Sequence, residues 1–159
     1  MNDEKNEKID LVVISEPDSD PRAIYITEKL NAELKRISGD SGAGNAALGD
    51  FSGERACFLL LYYQGKIAGC GAFRPLDEFS AEIKRMFVSL PGAGLGRLLL
   101  QALESRARRA GFRSVRLETR RVNRAAAAFY LRNEYKVIDN YGIYRGRPEA
   151  VCFEKRISD

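Results

Sequence analysis

Three glycines at alternate positions, Gly92-Ala93-Gly94-Leu95-Gly96, follow an apolar run that ends at Val88 and lead into a helical stripe that carries Arg97 near its start. Glycine lets the backbone approach a ligand closely and take positive φ. The first turn of a helix offers unpaired N–H groups at the positive end of the helix dipole. Together these features make a pyrophosphate site, and Arg97 is placed to add a charge-assisted hydrogen bond. The same residues also read as a glycine-rich turn without a ligand, although three alternate glycines are entropically costly there. Two familiar nucleotide loops do not fit. GxxxxGK[ST] is absent, and GxGxxG would need glycine at the position held by Arg97. Glu118, at the end of the next strand, is the one feature in favour of a dinucleotide fold, and too few βαβ units remain to build one.

The 159 residues contain no histidine, which excludes Ser–His triads, Cys–His pairs and His-ligated zinc. Any general base must be a carboxylate, a tyrosine or a water chain. Cys57, Cys70 and Cys152 are too few and too scattered for a disulfide framework and lack metal-type spacing, so no metal is expected.

Charge is unevenly spread. The formal net charge is +4, yet the stretch from Arg97 to Arg124 holds nine arginines against Glu104 and Glu118, while the first twenty residues hold seven acids and two lysines. The basic block reads as contact with an anionic ligand, as a solvated helix face, or as a nucleic-acid surface. The last usually interleaves aromatics with the arginines, and only Phe112 and Phe129 lie near, so no nucleic acid is expected.

The elements that would position these residues follow from local signals. A strand is predicted over 10–15. Asp20-Pro21 opens a helix that runs to Ser38 with Ile24, Leu30, Leu34 and Ile37 on one face, and Gly39 ends it. Residues 39–53 form a glycine-rich loop with one helical turn over 45–48. Two apolar strands, 57–63 and 66–74, flank the hairpin signal Gln64-Gly65, and a third covers 80–88. After the glycine turn, Leu95, Leu98, Leu99, Ala102, Leu103, Ala107 and Ala110 recur at helical spacing, and Gly111 closes that helix. A strand over 114–119, a helix capped by Asn123, and strands over 135–139 and 150–155 complete a mixed α/β domain over residues 10–157. Residues 1–9 read as a disordered acidic tail. No secretory signal is visible. The longest apolar runs, 56–63 and 125–131, fall short of the roughly 18 residues that span a bilayer, so no membrane association and a cytoplasmic location are expected.

At this point the chain resembles the GNAT superfamily of N-acetyltransferases. The family's signature is an apolar strand ending in valine, then [RQ]-x-x-G-x-[GA], then a helix; Met86-Phe87-Val88 and Gly92-Ala93-Gly94-Leu95-Gly96 match it. A second element, N-x-x-A-x-x-x-Y, is matched by Asn123, Ala126 and Tyr130. The resemblance covers residues 10–156, and the blocks GCGAFRPL, AEIKRMFV, RLETRRVN and EAVCFEKR look like one bacterial subgroup. One departure is clear: Pro91 stands where the turn usually opens with arginine or glutamine, and brings neither a side-chain donor nor an N–H.

The resemblance implies a mixed, mostly antiparallel sheet with flanking helices, its strands splayed where acetyl-CoA binds. It implies acetyl-CoA as cosubstrate, held by Met86, Phe87, Val88, Gly92, Ala93, Gly94, Leu95, Gly96, Arg97, Asn123, Ala126 and Tyr130. With Pro91 in place, the pyrophosphate rests on the amides of Gly92, Gly94, Leu95 and Gly96 and on Arg97. A backbone N–H near Phe87 or Val88 would receive the oxyanion, and Tyr130 would protonate the leaving thiolate. Glu82 lies at the offset from Val88 where histone-acetylating relatives place a catalytic glutamate; it also reads as an ion-pair partner of Lys84 or a nearby arginine. Strand alternation puts Glu82, Lys84, Met86 and Val88 on one face unless a bulge intervenes. Glu118 is the alternative base or an anchor for the acceptor amine.

The acceptor is expected to be a small molecule with a primary amine, an amino acid or a related compound among the candidates. Arg74, Arg85, Glu118, Tyr141, Tyr144 and Arg145 lie on strand ends or the late loop, where an arginine would hold a carboxylate bidentately; ordinary strand-end charge explains them as well. A protein N-terminus or lysine is a further acceptor class. Two other readings stay open: a CoA-binding or interaction module without the chemistry, and a nucleic-acid binder using the basic block. Exposed edge strands leave room for a homodimer.

Overall fold

The computed structural model describes residues 8–158. In chain order the elements are β1 (Ile9–Val13), α1 (Pro21–Ser38), β2 (Cys57–Tyr63), β3 (Lys66–Pro75), β4 (Ser80–Val88), α2 (Leu95–Arg109), β5 (Ser114–Arg120), α3 (Arg124–Arg132), β6 (Lys136–Ile138) and β7 (Ala150–Arg156). The tail expected over 1–9 lies outside the described residues except for Lys8 and Ile9, and Ile9 already begins β1.

The strands form one sheet in the order β1-β2-β3-β4-β5-β7-β6. Every pairing is antiparallel except β4 with β5. One face packs Leu99, Leu100 and Leu103 of α2 and Tyr130 of α3 against Phe73, Ile83, Leu117 and Phe153. The other packs Ala23 and Ile26 of α1 against Phe58, Leu60 and Ala72.

The helix ends follow their predicted chemistry. Asp20 accepts from the Arg22 amide at the start of α1, Pro21 holds the first helical position, and Gly39 closes the helix at φ 82°. Asn123 accepts from the Ala126 amide and starts α3. Gln64 and Gly65 both take positive φ (53° and 76°), as a two-residue turn between twisted strands requires.

Three expectations are corrected. Residues 45–48 do not form one helical turn; two 3-10 turns, Ala43–Asn45 and Leu48–Phe51, flank Ala46, whose φ of −148° breaks the helical path. Ile24 is 38% exposed and lies off the buried face of α1, which runs through Ala23, Ile26, Thr27 and Leu30. Glu82, Lys84, Met86 and Val88 do not share a face. Cys70 pairs with Phe87, but Ala72 pairs with Lys84, so Arg85 and Met86 together oppose Gly71. Arg85 adopts φ 59° to make this bulge. Glu82 and Lys84 therefore project on the α1 face, while Met86 and Val88 pack with the α2 and α3 cluster.

Candidate functional site

β4 and β5 run in the same direction and pair over only three residues, Ser80–Glu82 with Ser114–Arg116. Beyond that point they part, and a cavity of about 320 Å³ occupies the gap. β4 contributes Ile83, Lys84, Arg85 and Met86, and β5 contributes Leu117, Glu118, Thr119 and Arg120. α3 adds Asn123, Ala126 and Tyr130. Leu30, Leu34 and Ile37 of α1, the loop from Asp40 to Ala46, and Ile143, Tyr144 and Arg147 close the other side.

The backbone of β4 beyond the bulge is open on its β5 side. Ser89 N donates to Ala68 O, so in the alternating antiparallel pattern Phe87 is hydrogen-bonded to Cys70 and Val88 is not. The Val88 N–H consequently points away from β3 towards the gap. The turn that follows is exposed from Leu90 to Gly94. Gly92 and Gly94 take φ of 86° and 74°, and Gly94 is the N-cap of α2 without a side-chain cap. Among the described residues the amides from Gly92 to Arg97 donate to no carbonyl outside the helix, and the first amides of a helix have no partner within it. Arg97 is exposed beside them, and Leu95 is buried under the turn. Gly96 packs against the Phe129 ring, where an added Cβ would meet it at 3.3 Å.

Tyr130 is 6% exposed and lines the cavity. Its ring is fixed edge-to-face against Phe129 and Tyr135, at centroid distances of 5.1 and 5.5 Å. Burial alone raises the pKa of its hydroxyl, which has no hydrogen-bond partner among the described residues. Asn123 spends its side-chain oxygen on the Ala126 amide, 3.2 Å away.

The two carboxylates singled out in the sequence have different surroundings. Glu82 is 4% exposed and engaged at both oxygens. Arg74 donates to Oε1 from Nε and Nη2 (3.2 and 3.1 Å), and Tyr141 donates to Oε2 at 2.6 Å. Arg74, not Lys84, is thus its ionic partner. Glu82, Arg74 and Tyr141 lie outside the cavity lining. Glu118 lines the cavity, and its nearest cation is Arg120 at 3.5 Å. Burial raises its pKa above the ordinary carboxylate value, with Arg120 and Lys84 opposing the shift.

The expected acceptor residues separate in the same way. Arg74 also pairs with Asp50 at 2.8 Å and donates to the Asn45 carbonyl. Arg85, although it lines the cavity, donates to Asn31 Oδ1 at 2.6 Å and to the Ser41 carbonyl, tying β4 to α1 and the glycine-rich loop. Arg145 and Tyr141 border a different, shallow hollow beside Arg116 and Glu154. Tyr144 does face the cavity, and its oxygen accepts from Asn45 and from Lys84.

Lys84 is a cavity residue that sequence reasoning placed only as an ion-pair candidate. Burial lowers its pKa, against the pull of Glu82 and Glu118. Asp40 and Arg147 also line the cavity, as does Arg120, which the sequence shows only as part of the basic block. Period-2 alternation from Glu82 to Lys84 could have found Lys84. Asp40 and Arg120 meet at 3.2 Å across 80 residues, which no local pattern reveals. The basic block is partly structural: Arg108 donates to the Ile157 carbonyl, Arg116 pairs with Glu154, and Arg121 donates to the Pro148 carbonyl. Among the described residues no helix is long and apolar enough to cross a membrane.

The model of the acetyltransferase (GNAT) family matches residues 22–135. A Xenopus tropicalis protein assigned as N-acetyltransferase 14 is 38% identical over 88 residues, covering 54% of this chain and 43% of that protein. An IAA acetyltransferase of Azospirillum brasilense is 34% identical over 101 residues, covering 62% of this chain and 66% of its own. The chain thus spans less than two thirds of either curated relative. A solved Klebsiella pneumoniae chain assigned as an acyl-CoA N-acyltransferase superposes with a TM-score of 0.79 at 28% identity, over 94% of this chain and 97% of that one. The paia N-acetyltransferase of Thermoplasma acidophilum, solved in complex with coenzyme A, has the same fold with a TM-score of 0.74 at 18% identity, over 94% and 99% of the two chains.

Proposed function

Since the chain belongs to the acetyltransferase (GNAT) family, we propose that it is an acetyl-CoA-dependent N-acetyltransferase that moves the acetyl group directly to a primary amine of a small molecule. The observation that carries this reading is the gap between β4 and β5, with unpartnered amides along one margin and a cavity of about 320 Å³ within it.

The proposed division of labour follows the geometry. The amides of Gly92, Gly94, Leu95 and Gly96 take the pyrophosphate, with Arg97 adding charge at the helix N-terminus. Pro91 supplies no donor, so these main-chain groups carry that contact. Met86, Phe87 and Val88 edge the slot for the pantetheine arm, and Asn123, Ala126 and Tyr130 form its opposite wall. Glu118 accepts the proton of the incoming ammonium, directly or through water. Its burial places its pKa nearer the working range of a general base. The amine nitrogen then attacks the thioester carbonyl, and the Val88 N–H stabilises the developing oxyanion. As the C–S bond breaks, the Tyr130 hydroxyl gives its proton to the leaving thiolate, and the phenolate recovers one through water from the attacking nitrogen, which leaves as the neutral amide. Glu82, held at both oxygens, acts as a strut that fixes Arg74 and Tyr141 beneath the site, and the base role passes to Glu118.

The test is acetyl-CoA thiol release in the presence of amino acids, polyamines, aminoglycosides and peptides. Turnover with a small amine is expected. Tight acetyl-CoA binding with no thiol release from any amine would instead make the chain a CoA-binding module without the chemistry.

A further inference from the structure

Four cations line the cavity, Lys84, Arg85, Arg120 and Arg147, against two carboxylates, Asp40 and Glu118. Arg120 is the cation that reaches both carboxylates, at 3.2 and 3.5 Å. Lys84, Arg85 and Arg147 have no carboxylate within 4 Å among the described residues. Arg85 is committed to neutral partners, Asn31 and the Ser41 carbonyl, and Arg147 is exposed at the rim. Lys84 is different. It is partly buried, it faces the cavity, and its ammonium donates to a single protein acceptor, the Tyr144 oxygen. Removing an ammonium from water is costly unless a counter-charge and hydrogen bonds replace the solvent.

Position adds direction. Glu82 pairs with Arg116 across the parallel strands, and the bulge lies beyond Lys84. Lys84 and Glu118, each two residues further along its strand, therefore stand on the same face of the sheet on opposite banks of the gap. One offers an unpaired cation, the other a carboxylate. Tyr144 accepts from Lys84 and from Asn45, which leaves its own O–H as a donor beside them. Leu30, Leu34 and Ile37 of α1 make the facing wall apolar.

We infer that the acceptor is an α-amino acid with an apolar side chain. Its carboxylate is bound by the Lys84 ammonium and the Tyr144 hydroxyl, its amine is presented to Glu118, and its side chain lies against Leu30, Leu34 and Ile37. The fate of that amine rests on the acetyl-transfer reading above; the binding of the carboxylate does not. Of the arginines that the sequence offered for this role, Arg74 and Arg85 are bonded to other partners and Arg145 borders a different hollow, and an opposed pair of unlike charges on the two banks of the gap is the pattern an amino carboxylate complements.

The experiment is calorimetric titration of the full chain, with CoA present, by L-leucine, L-methionine and L-phenylalanine and by the amide of each. At least one acid is expected to bind ten-fold or more tightly than its amide. Lys84→Met should reduce the affinity for that acid to the level of the amide, while Lys84→Arg should keep part of the preference, which a merely structural lysine would not do. The inference is overturned if the amides bind as well as the acids, if none of the six binds, or if Lys84→Met keeps the preference. Should Lys84→Met fail to fold, Tyr144→Phe replaces it, with the same loss of preference expected. An acid that binds in this way but releases no thiol from acetyl-CoA would uphold the carboxylate site and count against the acetyltransferase reading instead.

Discussion

Gly71 of β3 faces Arg85 of β4, which lies in the left-handed region at φ 59°. A non-glycine residue there costs roughly 1–2 kcal/mol. The structure offsets it with the Arg85 bonds to Asn31 and Ser41 and with the Cys70 thiol, which donates to the Arg85 carbonyl at 3.2 Å. The consequence reaches the site. The extra residue turns Met86 and Val88 towards α2 and leaves Glu82 and Lys84 facing α1. It also ends β4 with the Val88 amide free of β3, on the side where β5 has already departed.

The close approach of β3 to β4 beside this bulge makes Gly69 a sensitive position. A Cβ there would sit 2.5 Å from the Phe87 carbonyl oxygen and 3.4 Å from Val88 Cα. Both are backbone atoms that cannot swing aside. Gly69→Ala is expected to destabilise the fold by about 1–3 kcal/mol and to lower Tm by roughly 3–10 °C. An unchanged melting curve would mean that the strands separate there without cost. Gly92→Ala has open space around it and should cost only about 1–2 kcal/mol, through its positive φ.

Glu82 gives a test that separates a strut from a base. Glu82→Ala removes one partner of a buried pair and leaves the Tyr141 hydroxyl without its acceptor, which is expected to cost about 3–5 kcal/mol. Tyr141→Phe should cost about 1–2 kcal/mol. Chemical denaturation reads both. Glu82→Gln, which keeps the shape, should leave kcat within a few-fold of the parent protein. If it instead abolished turnover without moving Tm, the proton would be taken by Glu82.

The parts of this fold that were legible in the sequence are those encoded by neighbours along the chain. Asp20-Pro21 and Gly39 bound α1, Gln64-Gly65 turns the hairpin, and Gly92 to Gly96 introduces α2, because capping and positive φ are local requirements. The family resemblance then supplied the splay of β4 from β5. The bulge was foreseen as a kind of feature but not placed, since AEIKRMFV carries no glycine to mark it and an arginine takes the strained position. The commitment of Arg74 to Glu82 and Asp50, and of Arg120 to Asp40, depends on strand register and loop placement. Those contacts separated residues that carry the right charge into ones that face the cavity and ones that hold the scaffold.

Tyr130→Phe is expected to lower kcat by about 10–100-fold through loss of the proposed proton donor. Acetyl-CoA affinity and Tm should change little, because the ring keeps its edge-to-face contacts with Phe129 and Tyr135 and the hydroxyl gives up no protein hydrogen bond. Steady-state kinetics beside a calorimetric titration of acetyl-CoA separate the two effects. An unaltered kcat would remove Tyr130 from the chemistry and leave it as packing.

Glu118 ties activity and stability to pH in opposite senses. In the proposed base role its ionised form accepts the proton, so kcat/KM should rise with pH on a limb whose midpoint lies above the ordinary glutamate value of about 4.3, as burial raises this pKa. Glu118→Gln should lose that limb and at least ten-fold in kcat. For stability the folded state holds the proton more tightly than the unfolded chain. The contribution is therefore fully present below about pH 4.3 and declines as pH rises through the raised folded value. Above that value the parent protein carries the cost of an ionised, buried carboxylate, which Glu118→Gln does not. The Tm of the variant relative to the parent should accordingly increase with pH across this window and then level off. A Tm difference that stays flat from pH 4 to 8 would show that Glu118 titrates as a solvated surface carboxylate, and the base would have to be sought elsewhere.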